Sequence, residues 1–423
     1  METNAKSGDK VSVRTVHETM EGILIESYEP GIVLLKLKNG YNVGIKREDV
    51  IEISVIEPAK AEKERKGMLK VNPKLPFVDI VLTGGTISSR VDYKTGGVSW
   101  LTNPEQLFEM YPEIFEVCNV RKIKVPFMKA SENMDHKDWQ EIASSVSESL
   151  NDKEISGVIV THGTDFLHYT SAALSFFLRD LNKPVVLTYS QRSSDRASSD
   201  AAMNLKCAAI AAVSDIAEVM LAGHGSVNDD FCNALLGSKV RKLHTSKRDA
   251  FKPVNTKPIA KIFPDGKILK ISQHRLRNDS GKVKLDDSFN DKIALIKFYP
   301  GMDSELIDFL SSRYQGIVIE MSGLGHFANE EARKNLFPAL RKAINNGLIV
   351  CAVPQTVFGR INPNVYSNGR ELLKTGVIFL EDTLAETAYV KLGWVLGHKN
   401  WKHQIKEKML ENLSGEINYR IEE

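Results

Sequence analysis

Cysteine is scarce in this chain: Cys118, Cys207, Cys232 and Cys351 are the whole complement among 423 residues. None forms a CxxC pair or stands at a zinc-ligand spacing from a histidine. Four reduced, mostly buried thiols are therefore expected, not a disulfide framework or a zinc site. Long apolar runs are absent as well. No stretch approaches the roughly 18 residues of a membrane span, and the opening Met1-Glu2-Thr3-Asn4-Ala5-Lys6 lacks the apolar region of a signal peptide. A soluble, cytoplasmic protein with no membrane partner is the expectation. Charge of one sign is not in excess either: 26% of residues are charged and the formal net charge is +2. The average surface thus neither requires nor excludes nucleic acid. What the chain has in quantity is apolar residues, 42%, over a length too great for one ordinary core. Two or three domains are expected.

Residues 1–57 read as a small all-β unit. Val11–Arg14, Glu21–Ser27, Ile32–Leu37, Tyr41–Ile45 and Ile51–Ile56 are rich in Val, Ile and Leu, and turn signals separate them, among them Glu29-Pro30-Gly31 and Asn39-Gly40. Five short strands in so few residues predict a small closed barrel of the SH3 kind. Residues 58–75 are charged and poor in bulky apolar groups, as a linker is. From Phe77 strands alternate with helices. Strands are predicted at Val78–Leu82, Gly157–Thr161, Val185–Tyr189 and Glu218–Ala222, and helices at 136–150, 168–181 and 200–213. A second alternating block follows Lys292, with strands at Ile293–Phe298, Gly316–Met321, Leu348–Val353 and Val377–Leu380 and helices at 303–313, 329–346 and 383–396. The fold class is α/β: two domains with parallel sheets, 76–285 and 290–400, preceded by the barrel and followed by a tail at 401–423.

Two threonine-bearing turns each follow a buried strand: Thr83-Gly84-Gly85-Thr86-Ile87 and Thr161-His162-Gly163-Thr164-Asp165. Ligands of parallel α/β sheets bind beyond the C-terminal ends of the strands, so both turns should open on one edge. Glycines there let the backbone approach a substrate and aim N–H groups inward. A threonine hydroxyl needs a base before it attacks. Asp165 adjoins Thr164, and Lys242 lies in a later basic run with Lys239, Arg241, Lys247 and Arg248, cations that would lower its pKa. No lysine stands where a P-loop needs one. No histidine–carboxylate cluster has a metal spacing. His162 and His168, six residues apart, do not share a helical face, and His162 reads as a structural group. Amide hydrolysis here is expected to need no metal or other cofactor.

These two turns resemble the signature turns of the bacterial-type L-asparaginase family. Between them, Ala130-Ser131-Glu132-Asn133-Met134-Asp135 is similar to that family's substrate-binding loop. The stretch Gly237-Ser238-Lys239-Val240-Arg241-Lys242, with Asp249 to Asn255 beyond it, resembles the segment carrying its catalytic lysine. Four motifs stand in the family's order between about Val78 and Gly397. The resemblance implies that Thr86 is the nucleophile and that Thr164, Asp165 and Lys242 form the second catalytic group. It implies that Ser131 and Asp165 contact the α-carboxylate and α-amino groups of the substrate. Glu132 stands where many asparaginases have glutamine, and its charge would bind an ammonium more strongly. Tyr93 is the nearest candidate for the family's tyrosine on a mobile loop, here 88–99. Asparaginases assemble so that neighbouring subunits complete each site, which implies a homodimer.

Two features depart from plain asparaginases: some 75 residues before the first catalytic strand, and the segment 354–370. Both, and the tail at 409–417, resemble the GatD family, the D-subunits of the archaeal glutamyl-tRNA(Gln) amidotransferase, in which a barrel precedes an asparaginase-like body. That resemblance implies release of ammonia from glutamine, or asparagine, for a partner, the E-subunit, which amidates Glu-tRNA(Gln) with ATP and Mg²⁺. A homodimer within a heterotetramer follows. The barrel is a weak candidate for RNA: residues 1–60 hold eight Lys and Arg against ten Asp and Glu, whereas a phosphate reader is basic. Protein docking suits it better. The alternatives are a free-standing asparaginase or glutaminase, a catalytically dead scaffold, and a nucleotide-binding protein using Gly323-Leu324-Gly325-His326-Phe327-Ala328 as a dinucleotide fingerprint.

Overall fold

The structure is a computed structural model. It describes residues 5–25, 27, 31–38, 41–58, 71–85, 87, 107, 109–192 and 198–420, and the backbone alone of 89–91 and 98–100. Residues 59–70 of the expected linker and the Asn39-Gly40 turn lie outside them.

The N-terminal strands are β1 (Lys10–Thr15), β2 (Thr19–Ile25), β3 (Ile32–Leu37), β4 (Asn42–Lys46) and β5 (Val50–Glu57). They form one antiparallel sheet in the order β4-β3-β2-β1-β5. A 3-10 turn, Arg47–Asp49, carries the chain from one edge to the other. Val11, Val13, Val33 and Leu35 share one core with Ile45 and Val50 from the two edge strands. The sheet therefore curls on itself, as an SH3-like barrel does.

The body begins with β6 (Phe77–Leu82). A short antiparallel pair follows, β7 (Ser89–Val91) with β8 (Val98–Trp100), and then β9 (Asn119–Lys124) and β10 (Ile155–Thr161). Next come β11 (Leu178–Arg179), β12 (Val185–Thr188), β13 (Val219–His224) and β14 (Cys232–Leu236). They are followed by β15 (Val240–Lys242), β16 (Phe251–Pro253), β17 (Ala260–Ile262), β18 (Ile268–Lys270) and β19 (Lys284–Leu285). Eight of them make one sheet in the order β18-β17-β14-β13-β12-β10-β6-β9. Strand β10 is buried along its whole length, as a central parallel strand with both faces covered must be. Helices α1 (His136–Leu150) and α2 (Leu167–Phe177) cover the face bearing Val81, Val158, Val160 and Leu187. Helix α3 (Ala201–Ala212) covers the alternate residues Ile80, Leu82, Ile159 and Val186.

The C-terminal unit is a four-stranded parallel sheet, β20 (Ile293–Lys297), β21 (Gly316–Met321), β22 (Ile349–Pro354) and β23 (Ile378–Phe379). Its helices are α4 (Ser304–Arg313), α5 (Phe337–Asn345), α6 (Ser367–Thr375) and α7 (Ala385–Gly397), with α8 (Ile405–Leu410) after them. One apolar core runs from α1 and α2 through α7 into this sheet. Phe176 of α2 stacks on Trp394 of α7 with centroids 5.8 Å apart. All four cysteines are free and buried.

Differences from the sequence reading have local causes. Three antiparallel strands, β14, β17 and β18, extend the five parallel ones. Only residues 225–231 join β13 to β14, too few for the crossover a parallel partner needs. The helix expected over 329–346 starts at Phe337, where Asn335 accepts the backbone N–H of Phe337 at 3.0 Å and Pro338 occupies the first turn. Helix α6 emerges from the segment 354–370 and stops at Gly376, whose φ is 101°. At Gly323 and Gly325 the chain turns tightly, with φ of 54° and 99°. No helix opens there, so the dinucleotide reading fails.

Candidate active site

Strands β6 and β10 are parallel neighbours in a register that sets Leu82 beside Thr161. Both threonine turns therefore leave the sheet side by side. The Thr83 hydroxyl donates to the Thr161 carbonyl at 2.8 Å, and the Lys129 N–H donates to the Thr83 carbonyl at 3.0 Å. Gly84 (φ 135°) and Gly85 (φ 82°) adopt backbone that side chains rarely take. A Cβ on Gly84 would stand 2.1 Å from the Lys129 carbonyl oxygen, and one on Gly85 would meet Gly163 N at 2.8 Å. Glycine is needed so that three loops can converge.

The third loop carries Ser131 and Glu132. Asp135 caps α1 by accepting from Lys137 N at 2.8 Å, and Asp138 in turn accepts from Asp135 N at 2.9 Å. Lys129 Nζ reaches Asp138 at 2.5 Å, tying the loop to the same helix turn. Buried Ser131 accepts from the Phe166 N–H at 3.3 Å, which joins this loop to the second threonine turn. Glu132 is exposed beside it.

His162 fixes the second turn. Its Nδ1 lies 2.7 Å from the Gly163 carbonyl, which can only accept, so Nδ1 carries the proton and Nε2 accepts from the Thr170 hydroxyl at 2.8 Å. Burial pushes the imidazole down to about 4, against the smaller upward pull of that carbonyl. The ring is thus a neutral strut.

Lys242 joins the group from a distant strand. Its Nζ donates to Thr164 Oγ1 at 2.9 Å and to Asp165 Oδ1 at 2.7 Å. The lysine side chain is only 10% exposed, whereas Asp165 is open to solvent. Three of the four other cations of the basic run are paired elsewhere. Lys239 pairs with Asp382 at 2.7 Å, Arg241 with Glu386 at 2.9 Å and Arg248 with Asp229 at 2.6 Å. Burial pushes the Glu386 carboxyl up, but His168 and Arg241 outweigh it and hold it below the usual range.

Gly85, Lys129, Ser131, Glu132, Thr164 and Asp165 line a cleft of about 360 Å³. Thr86 and Tyr93 lie outside the described residues, as do Ser88 and 92–97 of the segment 88–99; Gly85 and buried Ile87 flank the first of them. Sequence reasoning missed Ser190, which also lines the cleft. It follows β12, the next parallel strand after β10, and the rule that ligands sit at strand ends points to it. A larger recess of about 710 Å³ between α5 and α6 shares none of these residues.

Arranged in this way, the site offers a threonine hydroxyl held by a lysine ammonium, and carboxylate acceptors for a charged small substrate, in a cleft of the size such ligands need. Comparisons with known proteins agree in type. The family model for the asparaginase N-terminal domain matches residues 78–277, that for the glutaminase/asparaginase C-terminal domain 292–409, and that for the GatD N-terminal domain 5–56. The D-subunit of the Pyrococcus furiosus glutamyl-tRNA(Gln) amidotransferase is 50% identical over 420 residues, 97% of this chain and 94% of the relative. That of Methanococcus maripaludis is 41% identical over 422 residues, 98% of each. Among solved structures, the thermostable L-asparaginase from Thermococcus kodakarensis superposes with a TM-score of 0.73 at 28% identity, covering 81% of this chain and 99% of its own. L-asparaginase I from Vibrio cholerae gives 0.69 at 28%, with the same coverage.

Proposed function

The chain belongs to the GatD family, the D-subunits of the glutamyl-tRNA(Gln) amidotransferase, built on an asparaginase body, and from this we propose how its residues release ammonia. It is the asparaginase-like glutamine amidohydrolase component of that amidotransferase. In our reading Thr86 Oγ attacks the carbon of the side-chain carboxamide. The Asp165 carboxylate takes up the hydroxyl proton through Thr164, the Lys242 ammonium gives a proton to the leaving nitrogen and recovers one from Asp165, ammonia departs, and an ester on Thr86 remains. Water then hydrolyses the ester, returning the hydroxyl and releasing glutamate, or aspartate from asparagine. Ser131, Asp165 and Glu132 hold the α-carboxylate and α-ammonium of the substrate, and Tyr93 serves the nucleophile.

The observation carrying this reading is the Lys242 ammonium within 2.9 Å of Thr164 Oγ1 and 2.7 Å of Asp165 at a cleft edged by Gly85 and Ser131. Hydrolysis then needs no metal and survives a chelator. ATP and Mg²⁺ serve the partner, the E-subunit, which amidates Glu-tRNA(Gln) in the cytoplasm, with this chain as a homodimer within a heterotetramer. Against the free-standing asparaginase stands the match of residues 5–56 to a domain of the GatD family. The test is ammonia release from glutamine and from asparagine, with and without the E-subunit and charged tRNA, by the native chain and by Thr86→Val. The variant should lose at least about 10³-fold in rate. Retention of most of the rate refutes the nucleophile. Equal, high turnover in every condition refutes coupling to the partner.

A further inference from the structure

Lys242 ends β15, and β15 pairs with β16 in a two-stranded ribbon separate from both large sheets. Such a ribbon is marginally stable by itself. It nevertheless presents an ammonium within hydrogen-bonding reach of Thr164 and Asp165. The N-terminal domain holds the ribbon by packing, with Phe251 against Tyr189, and through Gly237, whose carbonyl accepts from Ser171 Oγ at 2.8 Å. The C-terminal unit and the chain beyond it add a second restraint, on three of the four residues before Lys242.

The Ser238 carbonyl accepts from Thr387 Oγ1 of α7 at 2.9 Å. The Ser238 hydroxyl donates to the Ser414 carbonyl, and the Ser414 hydroxyl to the Ser175 carbonyl, both at 2.6 Å. Lys239, fully buried, donates to the Asp382 carboxylate at 2.7 Å and to the Asp382 carbonyl at 2.9 Å. Arg241 reaches Glu386. Asn418 completes the cluster. Its N–H and side-chain amide donate to the two oxygens of Asp382 at 2.9 and 3.0 Å, and the amide also reaches the Asn255 carbonyl just beyond β16 at 2.7 Å. Both strands of the ribbon are thus gripped through one carboxylate. A fully buried ion pair adds little net stability, because desolvation cancels most of the attraction, but it admits few geometries. That suits a device for placement.

We infer that Asp382, Asn418 and Thr387 are positioning residues for amide hydrolysis: they fix the backbone entering Lys242 so that its ammonium stays between Thr164 and Asp165. The inference rests on the proton-handling role proposed for Lys242. A shift of about 1 Å in a catalytic group costs about 10²-fold in rate, so a slack clamp shows in turnover before it shows in folding.

Asp382→Asn strands a buried lysine and threatens the fold. The informative variants of the full chain are Asn418→Ala and Thr387→Val, which remove hydrogen bonds around the pair. Ammonia release from glutamine is measured for kcat, KM and the pH profile, per folded molecule by circular dichroism. Each variant is expected to lose about 10-fold in kcat, and the double variant about 10²-fold, with KM nearly unchanged and the pH profile of kcat displaced. In a Lys242→Met background neither substitution should lower the residual rate further, since there is no ammonium left to place. Unchanged kcat and pH profile in both variants, or losses that persist in full in the Lys242→Met background, overturn the clamp. Lys242→Met separates the failures. If it keeps most of the rate, the proton-handling role falls and the inference with it. If it is inactive while Asn418→Ala and Thr387→Val are unimpaired, the clamp alone falls.

Discussion

The two halves of the site are built by opposite means. The turn from Thr161 to Asp165 leaves the end of a strand with parallel neighbours on both sides, β6 and β12, and a neutral buried histidine props it from within. Lys242 arrives on a ribbon that borrows its position from residues 382–418. Strand ends place a group through local geometry. A ribbon, beyond its packing on Tyr189 and Ser171, needs contacts far along the chain as well.

The sharpest probe of the self-supporting half is Thr164→Val. It removes the hydroxyl that accepts from Lys242 while keeping the shape. Turnover should fall about 10³-fold, with thermal stability unchanged within about 1 kcal/mol, because the turn does not lean on that hydroxyl. A comparable loss of folding stability, read by denaturant titration, would erase the contrast between the halves.

A smaller effect is expected from Gly84→Ala, about 2–4 kcal/mol of stability, because positive φ and a clash with the Lys129 carbonyl act together. Gly266 has φ of 97° but nothing within 4 Å of its added Cβ, so Gly266→Ala should cost only about 1 kcal/mol. Equal losses in the two variants would show that backbone strain, not loop convergence, governs Gly84.

The last effect concerns pH. Unfolded, His162 takes up a proton below about 6.5; folded, it stays neutral down to about 4. The unfolded state therefore binds more protons in that window. Stability is full above about pH 6.5 and falls toward pH 4, at up to about 1.4 kcal/mol per unit. His162→Gln removes the titrating group, and its plot of melting temperature against pH should be flatter there. A slope identical to that of the native chain assigns the acid sensitivity to other groups.

These halves also differ in how far the sequence discloses them. Thr83–Ile87 and Thr161–Asp165 are legible because an apolar strand, a glycine turn and a hydroxyl follow one another within a dozen residues. Helix α1 is legible at its start because Asp135 and Asp138 make a capping box. Lys239, Arg241 and Arg248 read as a cloud of cations around Lys242, and only the fold shows each turned to a carboxylate of its own. Asp382 and Glu386, over 140 residues away in the chain, leave no local trace beside Lys239 and Arg241. The antiparallel β17 and β18 are three residues each, too short for a period to register. For Thr86 and Tyr93 the sequence remains the source, since both lie outside the described residues.

The bond from Ser414 to Ser175 spans 239 positions, and that between Lys239 and Asp382 spans 143. Contacts so distant along the chain close large loops, and each costs more chain entropy than the nearer pairings within a sheet. Under the clamp inferred above, loosening of the last residues alone, with both sheets intact, would leave a cleft that admits glutamine and a lysine out of line to hydrolyse it.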